Sequence, residues 1–288
     1  MLAVFFAALS GALFGALAVA VRRGLRRGAD PEAGAFVVAG TALAASAAAA
    51  LVEWGRLRPG QLWPFLVAGF IVPGASQILF IKAVRDVGPS RAAILIGTAP
   101  LMSVLIALTI LGEPFHPELA AGTVLVVAGG AALTRERIRP HDFKALGAAL
   151  ALSCAGLFAV RDNLVRWAAR GQHPPPLLAA ATSMLAAAAL LLAYLLVFRR
   201  RGLLPRLRAA APAFAPAGLA LAVAYASLFE AFDRGRVSVV APLNATQSLW
   251  AVVFAAAFVG RAGEAIGRRL VVAGLLIVSG GALIGVVR

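Results

Sequence analysis

The segment LGEPFHPELAAGTVLVVAGG, residues 111–130, begins with a short polar turn and continues as an uncharged run with two glycines seven residues apart. The segment AGEAIGRRLVVAGLLIVSGG, residues 262–281, repeats this order of features. Glycines at that spacing lie on one helix face, where they allow membrane helices to pack closely. Glu113 and its counterpart Glu264 stand at the helix entrance. They are either dipole-stabilising side chains or proton-binding carboxylates, and their position favours the first interpretation.

The composition is that of a membrane protein. Hydrophobic residues make up 61% of the 288 positions and charged residues only 14%, and the mean hydropathy is +0.91. A soluble domain has about 25% charged residues. A helix needs about 20 apolar residues to cross the hydrocarbon core, and five uncharged stretches approach that length: residues 1–21, 33–52, 92–111, 177–198 and 237–259. The first stretch lacks the basic start and the cleavage site of a signal peptide, so we expect a retained helix.

Arginine, proline and glycine divide the chain into ten candidate spans, too closely spaced for a soluble domain. They cover residues 2–21, 33–52, 62–81, 91–111, 118–134, 144–160, 176–198, 211–229, 237–259 and 267–287.

The second half of the chain repeats the first. SRAAILIGTAPLMSVLIALTILG at 90–112 aligns without gaps on SVVAPLNATQSLWAVVFAAAFVG at 238–260. A five-span unit copied once must enter the membrane in the opposite orientation, which is the inverted repeat of many transporters. We therefore predict an all-α membrane protein with ten transmembrane helices in two inverted-topology repeats, residues 1–138 and 139–288.

These features resemble the EamA family of the drug/metabolite transporter superfamily. The two "GE" turns, the glycine-bearing helices after them, GTAPL at 97–101 and GRVSVVAPLNATQSLW at 235–250 all fit its pattern. One departure is that the second copy has Gln247 and Ser248 where the first has Ala99 and Pro100. The resemblance implies a carrier, usually a secondary exporter of amino acids, other metabolites or drugs.

Polar residues inside spans are costly in a bilayer and therefore indicate a solute pathway. Asn244, Gln247 and Trp250 follow one another at three-residue spacing in span 9 and would share a helix face. They either line a cavity or hold helices together. Further cavity candidates are Thr98 and Pro100 in span 4, Gln77 in span 3 and Tyr225 in span 8. A proline within a span leaves one carbonyl without its usual partner, which a substrate or a neighbouring hydroxyl could satisfy; the alternative is a simple packing kink.

Proton coupling requires a group that changes its charge at accessible pH. Arg22 and Arg161 occupy matching positions at span ends, but arginine does not deprotonate. Glu230, which matches Lys82 in the other copy, is the better candidate, and its alternatives are a solvated helix end or an ion pair. No motif for a catalytic site, a metal or a nucleotide is present, so we expect neither an enzyme nor a cofactor.

Basic residues predict the orientation, since lysine and arginine concentrate in cytoplasmic loops. The connections after odd-numbered spans hold 19 of the 27 lysines and arginines, which places them in the cytoplasm and both termini outside. The expected location is the cell inner membrane. The expected partners are the lipid bilayer and a small-molecule substrate, with no nucleic acid, in a monomer or a homodimer.

Two other functions remain open. A flippase for a lipid-linked or amphiphilic substrate would need a lateral opening and a basic pocket. A membrane protein without transport activity would use its glycine faces to bind a partner and would have no solvated cavity.

Overall fold

The computed structural model describes residues 1–87, 95–134, 145–170, 173–259 and 268–286, and the secondary structure of these residues is helical. The 3-10 segment Leu51–Arg56 follows α2, and the π-helical segment Phe70–Ala75 joins α3 to α4. The helices are α1 (Leu2–Arg26), α2 (Pro31–Ala50), α3 (Pro59–Gly69), α4 (Ser76–Val87), α5 (Ala99–Thr109), α6 (Pro117–Thr134), α7 (Ala145–Ala169), α8 (Pro176–Phe198), α9 (Leu203–Arg234), α10 (Val237–Asn244), α11 (Gln247–Val259) and α12 (Arg268–Val286).

Among the described residues, six helical segments are long and apolar enough to cross a bilayer. They are Leu2–Leu25, Pro31–Arg56, Pro59–Phe80, Ala145–Ala169, Pro176–Phe198 and Leu203–Arg234. Three shorter apolar helices, Ala99–Thr109, Pro117–Ala132 and Val272–Ile284, fall in predicted spans 4, 5 and 10. The chain is therefore a multi-pass membrane protein.

Several predicted span boundaries are wrong because charged residues were taken as helix ends. Span 1 continues to Arg26, and span 8 begins at Leu203, eight residues before its predicted start. The largest functional consequence concerns span 6, which was predicted to end at residue 160. Its helix α7 runs to Ala169, so Arg161 lies inside the helix.

Two spans that were predicted as continuous helices are interrupted. In span 3, Val72 is extended (φ −140°, ψ 120°) immediately before Pro73. A proline disfavours the helical conformation of the residue before it, which accounts for this break. Span 9 is interrupted at Ala245 and Thr246, between α10 and α11.

Packing between the two repeats is reciprocal. Helix α1 of the first repeat packs on α9 of the second. The equivalent helices, α7 of the second repeat and α4 of the first, also pack on each other. The same holds for α2 with α9 and α8 with α3, and for α1 with α11 and α7 with α5. Three further pairs, α2 with α8, α6 with α12 and α5 with α10, join the repeats. This is the pattern that two related copies packed about a shared axis produce.

Glu113 stabilises a helix of the other repeat. Its two carboxylate oxygens accept hydrogen bonds from the backbone N–H groups of Val237 (2.9 Å) and Ser238 (3.0 Å), at the start of α10. Those N–H groups have no partner within their own helix. Glu113 therefore stabilises the start of a helix, as the first interpretation expected, but that helix is in span 9 and not in span 5. Glu118 does lie in the first turn of α6, and Glu264 lies outside the described residues.

The glycine face of α6 packs within the chain. A Cβ added to Gly122 would lie 2.6 Å from Ile284 Cγ1, and one added to Gly129 would lie 2.6 Å from Ile277 Cγ1. The isoleucines of α12 thus fit against the two glycines. A Cβ added to Gly280 of α12 would also meet the Gly122 carbonyl oxygen. Gly274 and Gly281, the glycines of α12 that the sequence predicted to pack closely, make looser contacts.

Candidate substrate-binding site

Helix breaks occur at equivalent positions of the two repeats. The turn at Gly97 and Thr98 precedes α5, and the turn at Ala245 and Thr246 precedes α11. In both turns the threonine Oγ1 donates to the carbonyl three residues earlier, at 2.6 Å to Leu95 and at 2.7 Å in the second turn. Paired interruptions of this kind indicate a binding site in transporters, because broken helices present unpaired backbone groups.

Pro100 does not interrupt a helix in mid-span. The helix begins at Ala99, so Pro100 stands in its first turn, where the missing N–H breaks no helical hydrogen bond. The prediction of a freed carbonyl in mid-span is therefore wrong at this residue. Thr98, immediately before the helix, lies in the turn itself and is half-buried.

The predicted stripe in span 9 is divided by its helix break. Asn244 ends α10, while Gln247 begins α11, so the continuous spacing that placed them on one face does not apply. The carbonyl of Asn244 and the hydroxyl of Thr246 each lie 3.1 Å from the position of a Cβ on Gly11. Helix α1 therefore approaches the broken backbone directly, at a glycine.

Trp250 packs against the same helix one turn further on. A Cβ added to Gly15 would lie 2.6 Å from the Trp250 Cβ, and the indole stacks on Phe254 at 5.8 Å between ring centroids. Gln247 and Asn244 are half-buried, and the Asn244 Oδ1 atom has no hydrogen-bond partner among the described residues. In this structure the contacts of Trp250 are those of packing, and the amides are the polar groups beside the break.

A buried ion pair lies in the interior of α7. Arg161 is 1% exposed and Asp162 is 7% exposed, and the Nε of the first lies 2.8 Å from the Oδ1 of the second. The Ser103 hydroxyl on α5 donates to Asp162 Oδ2 at 3.2 Å. The Asn163 amide donates to the carbonyls of Ser103 (3.0 Å) and Ala159 (2.9 Å). Ionisable groups inside a membrane span are by default candidates for function.

Tyr225 belongs to this cluster. It is 1% exposed, and the Arg161 guanidinium carbon lies 5.4 Å from its ring centroid and 5.5 Å from that of Phe158. The rings of Phe14 and Phe229 contact Tyr225 at 5.8 and 5.5 Å. The prediction placed Tyr225 at a cavity, and the structure places it beside a buried cation. Gln77, by contrast, lies half-buried in the first turn of α4.

A cavity of about 1110 Å³ opens at the end of the bundle where α1 begins and α9 ends. Glu230 lines it and forms an ion pair with Arg234, one turn further along the helix. His173 and Asp233 face each other across 2.9 Å in the same wall. Nearby, the Glu53 carboxylate accepts hydrogen bonds from the N–H groups of Leu177 and Leu178, at the start of α8. The ion pair of Glu230 with Arg234 is one of the alternatives that the sequence analysis gave for Glu230.

The opposite end of the bundle is bridged by charges from both repeats. Arg206 pairs with Asp30, and Arg199 pairs with Glu32 at 2.7 Å. Burial acts to raise the pKa of Asp30, but hydrogen bonds from the Ala33 N–H and from Arg206 outweigh it and hold the pKa below its ordinary value of 3.8. The described residues contain no group of three metal-ligating side chains.

Polar groups buried among membrane helices, a cavity at one end and paired helix breaks are features expected of a membrane transporter. The sequence matches the EamA-like transporter family over residues 1–135 and 145–286, and the chain belongs to this family. Its two matches are the two repeats, and the family is of the drug/metabolite transporter type. A solved crystal structure of a protein is similar in fold, with a TM-score of 0.81 and 22% identity over 98% of this chain and 96% of the other. No curated protein matches the sequence.

The sequence analysis did not predict the buried polar cluster of Arg161, Asp162 and Asn163. Arg161 was assigned to a span end, since VRDNLVR at 160–166 looks like a charged boundary. The signal that identifies them is the opposite charge of neighbouring residues. An arginine followed directly by an aspartate can remain inside a membrane helix because the two charges compensate each other.

Proposed function

We propose that this protein is a secondary-active exporter of small organic solutes, such as amino acids or related metabolites, in the cell inner membrane. It works by alternating access, in which ten transmembrane helices form two inverted repeats that rock about a central site. The observation that carries the proposal is the pair of helix breaks before α5 and α11, which occur at equivalent positions. The first break precedes α5, whose Ser103 donates to Asp162 of the buried polar cluster. Thr98, Asn244, Gln247 and Tyr225 are its polar site candidates.

The two ends of the bundle support the alternating-access mechanism. At one end the cavity reaches Ala226 and Ser227 of α9, while at the other Asp30 and Glu32 of the first repeat are paired with arginines of the second. With the orientation that the basic residues predict, the cavity faces outside and the ion-paired end faces the cytoplasm. This arrangement is that of an outward-facing carrier, and the cytoplasmic opening requires the ion pairs to separate.

Transport in proteoliposomes tests the proposal. Vesicles with the purified protein are loaded with one unlabelled solute class (amino acids, nucleosides or cationic drugs), and uptake of the labelled solute by counterflow is measured. We expect counterflow for one class and its loss in Gln247→Ala. Counterflow for no class overturns the proposal, and full activity in Gln247→Ala removes this residue from the site.

Proton coupling is tested in the same vesicles with an imposed pH gradient. We propose Glu230 as the coupling group, since it lines the cavity and is titratable. The Glu230→Gln variant should then lose gradient-driven transport but keep counterflow, which needs no net proton movement. Glu118→Gln, at an exposed carboxylate outside the cavity, is the matched control. Equal gradient-driven transport in Glu230→Gln and this control would exclude Glu230.

A second function, flipping of an amphiphile, is favoured by a smaller cavity of about 370 Å³. It lies between α1, α9 and α11 and is lined by Arg23 and Arg27 together with apolar residues such as Pro216 and Phe254. A basic pocket with apolar walls suits an anionic headgroup attached to hydrocarbon. Scrambling of a fluorescent lipid by vesicles that show no solute counterflow would establish this function in place of the first.

A further inference from the structure

The smaller cavity lies on the lipid-facing side of the bundle, where the two repeats meet. Its volume is about 370 Å³, and α1 of the first repeat forms it together with α9 and α11 of the second. Clefts that hold small ligands have about 300–1,000 Å³. Pro212 and Pro216 of its wall are exposed within the membrane-spanning segment Leu203–Arg234, so the cavity, here called the basic pocket, opens to the bilayer.

The basic pocket has a charged end and an apolar end. Arg23 and Arg27, one turn apart at the end of α1, are exposed and line it. Arg208 is also exposed and stands one turn before Pro212 on α9. Because α1 and α9 run in opposite directions, Arg208 lies at the same end of the bundle as the two arginines of α1. The remaining lining residues are apolar side chains such as Phe254.

The basic pocket is closed toward the middle of the bundle. Val19 lines it, and Gly15 lies one turn earlier on the same face of α1. A Cβ added to Gly15 would lie 2.6 Å from the Trp250 Cβ, so the helices are in direct contact there. From Ala16 to Arg27 the pocket extends about 16 Å along α1, roughly half of a hydrocarbon core of about 30 Å. An occupant therefore stays in one leaflet in this conformation.

The position of the basic pocket in the bundle indicates which leaflet this is. The pocket lies at the ion-paired end, where Asp30 pairs with Arg206, and the basic residues predict that this end faces the cytoplasm. The cytoplasmic leaflet carries anionic lipids, and basic pockets between membrane helices on that side bind their headgroups. A phosphate group offers acceptor oxygens to guanidinium groups, which bind it through charge-assisted hydrogen bonds.

We propose that the basic pocket is a binding site for an anionic phospholipid of this leaflet. The phosphate binds Arg23 and Arg27, and the upper part of an acyl chain packs on Pro216 and Phe254. The lipid remains bound and is not the transported solute, so the site does not depend on the transport function proposed above. Since the lipid contacts both repeats, it stabilises the packing of α1 on α9 and α11.

Native mass spectrometry of the purified, delipidated protein in detergent measures binding of the first lipid. The probes are phosphatidylglycerol and phosphatidylcholine with identical palmitoyl and oleoyl chains, together with glycerol phosphate, which has no chains. Phosphatidylglycerol should bind about tenfold or more tightly than phosphatidylcholine, because two arginines attract its net charge. Equal binding of the two lipids shows no selective site. Equally tight binding of glycerol phosphate shows a site for soluble phosphates. Either result overturns the inference.

Variants with matched charge assign the preference to the basic pocket. Phosphatidylglycerol should raise the melting temperature of the wild type by mass action. Arg23→Gln/Arg27→Gln should lose both this rise and the preference for the anionic lipid. Arg200→Gln/Arg201→Gln removes the same charge from exposed arginines at the same end but outside the pocket, and it should keep both. Equal losses in the two variants would show attraction to the basic surface in general and overturn the assignment.

A filled pocket tests the role of the apolar walls and separates a resident lipid from a transported one. Ala16→Phe occupies the apolar part of the pocket and leaves both arginines in place. It should weaken the binding of phosphatidylglycerol, and unchanged binding in a variant with the wild-type elution volume overturns the site. Scrambling of fluorescent phosphatidylglycerol by wild-type vesicles that Ala16→Phe abolishes would show that lipid passes through the pocket, and it would overturn the resident site. Absence of solute counterflow would reject the transport function and leave the lipid site standing.

Discussion

Removal of the Glu113 side chain should destabilise the protein through a helix in the other repeat. Glu113 is 6% exposed and accepts two hydrogen bonds, from the first two N–H groups of α10. The residue preceding α10, Arg236, makes no side-chain cap of its own. In Glu113→Ala both N–H groups therefore lose their only observed partner in a buried position.

The magnitude follows from these two bonds. Hydrogen bonds to a charged acceptor contribute about 1.5–3 kcal/mol each, whereas loss of a helix N-cap costs about 0.5–2 kcal/mol in measured cases. We expect Glu113→Ala to lower the free energy of unfolding by about 2–4 kcal/mol, between the two estimates. Glu113→Gln retains one acceptor oxygen and should lose about half of this amount.

The assay is equilibrium unfolding of the purified protein in mixed micelles, followed by circular dichroism. Glu118→Ala is the control, because Glu118 is an exposed acid nearby, in the first turn of α6, and its interaction with the helix dipole is worth less than about 1 kcal/mol. If Glu113→Ala is no more destabilising than Glu118→Ala, the cap across the repeats does not contribute to stability and the reasoning is refuted.

Two further outcomes are expected, one from the packing of glycines and one from Asp30, whose carboxylate caps the start of α2. Gly122→Ala should destabilise the protein by about 1–3 kcal/mol, because the added Cβ would lie 2.6 Å from Ile284. Gly156→Ala, in mid-helix with nothing within 4 Å of the added Cβ, should be neutral or stabilising by up to about 1 kcal/mol. Equal effects of the two variants in thermal unfolding would contradict close packing of α6 on α12. The pKa of Asp30 in the folded protein lies below its ordinary value of 3.8. The ionised carboxylate therefore contributes fully to the free energy of unfolding at neutral pH. This contribution is lost as the pH falls below 3.8 and then through the pKa of the folded protein. The stability difference between wild type and Asp30→Asn, measured by unfolding, should therefore shrink in acid, and a difference that grows there would contradict the assigned role of the pair with Arg206.

The sequence by itself determined the class of protein and its repeats. Uncharged runs of about 20 residues have one stable solution in hydrocarbon, the helix, because every backbone group must be satisfied within the segment. The repeat was readable because Thr98 and Thr246 keep the same place in two aligned segments. Tyr225 was singled out because a polar ring in an apolar run is unusual, and its place at a substrate cavity stays a prediction.

Tertiary structure alone decided where charges and polar groups go. An arginine after an apolar run can end a helix, as at the end of α1, or can be buried, as Arg161 is; the aspartate that follows Arg161 indicates the second case but does not show which helices surround the pair. The difference is the presence of partners from other helices, here Ser103 and Tyr225, which are distant in sequence. Glu113 likewise has a local appearance that suits its own helix, but its actual partner is the start of α10, because the repeats pack against each other there. Burial and hydrogen bonding between distant segments depend on this packing, which a local pattern of residues does not encode.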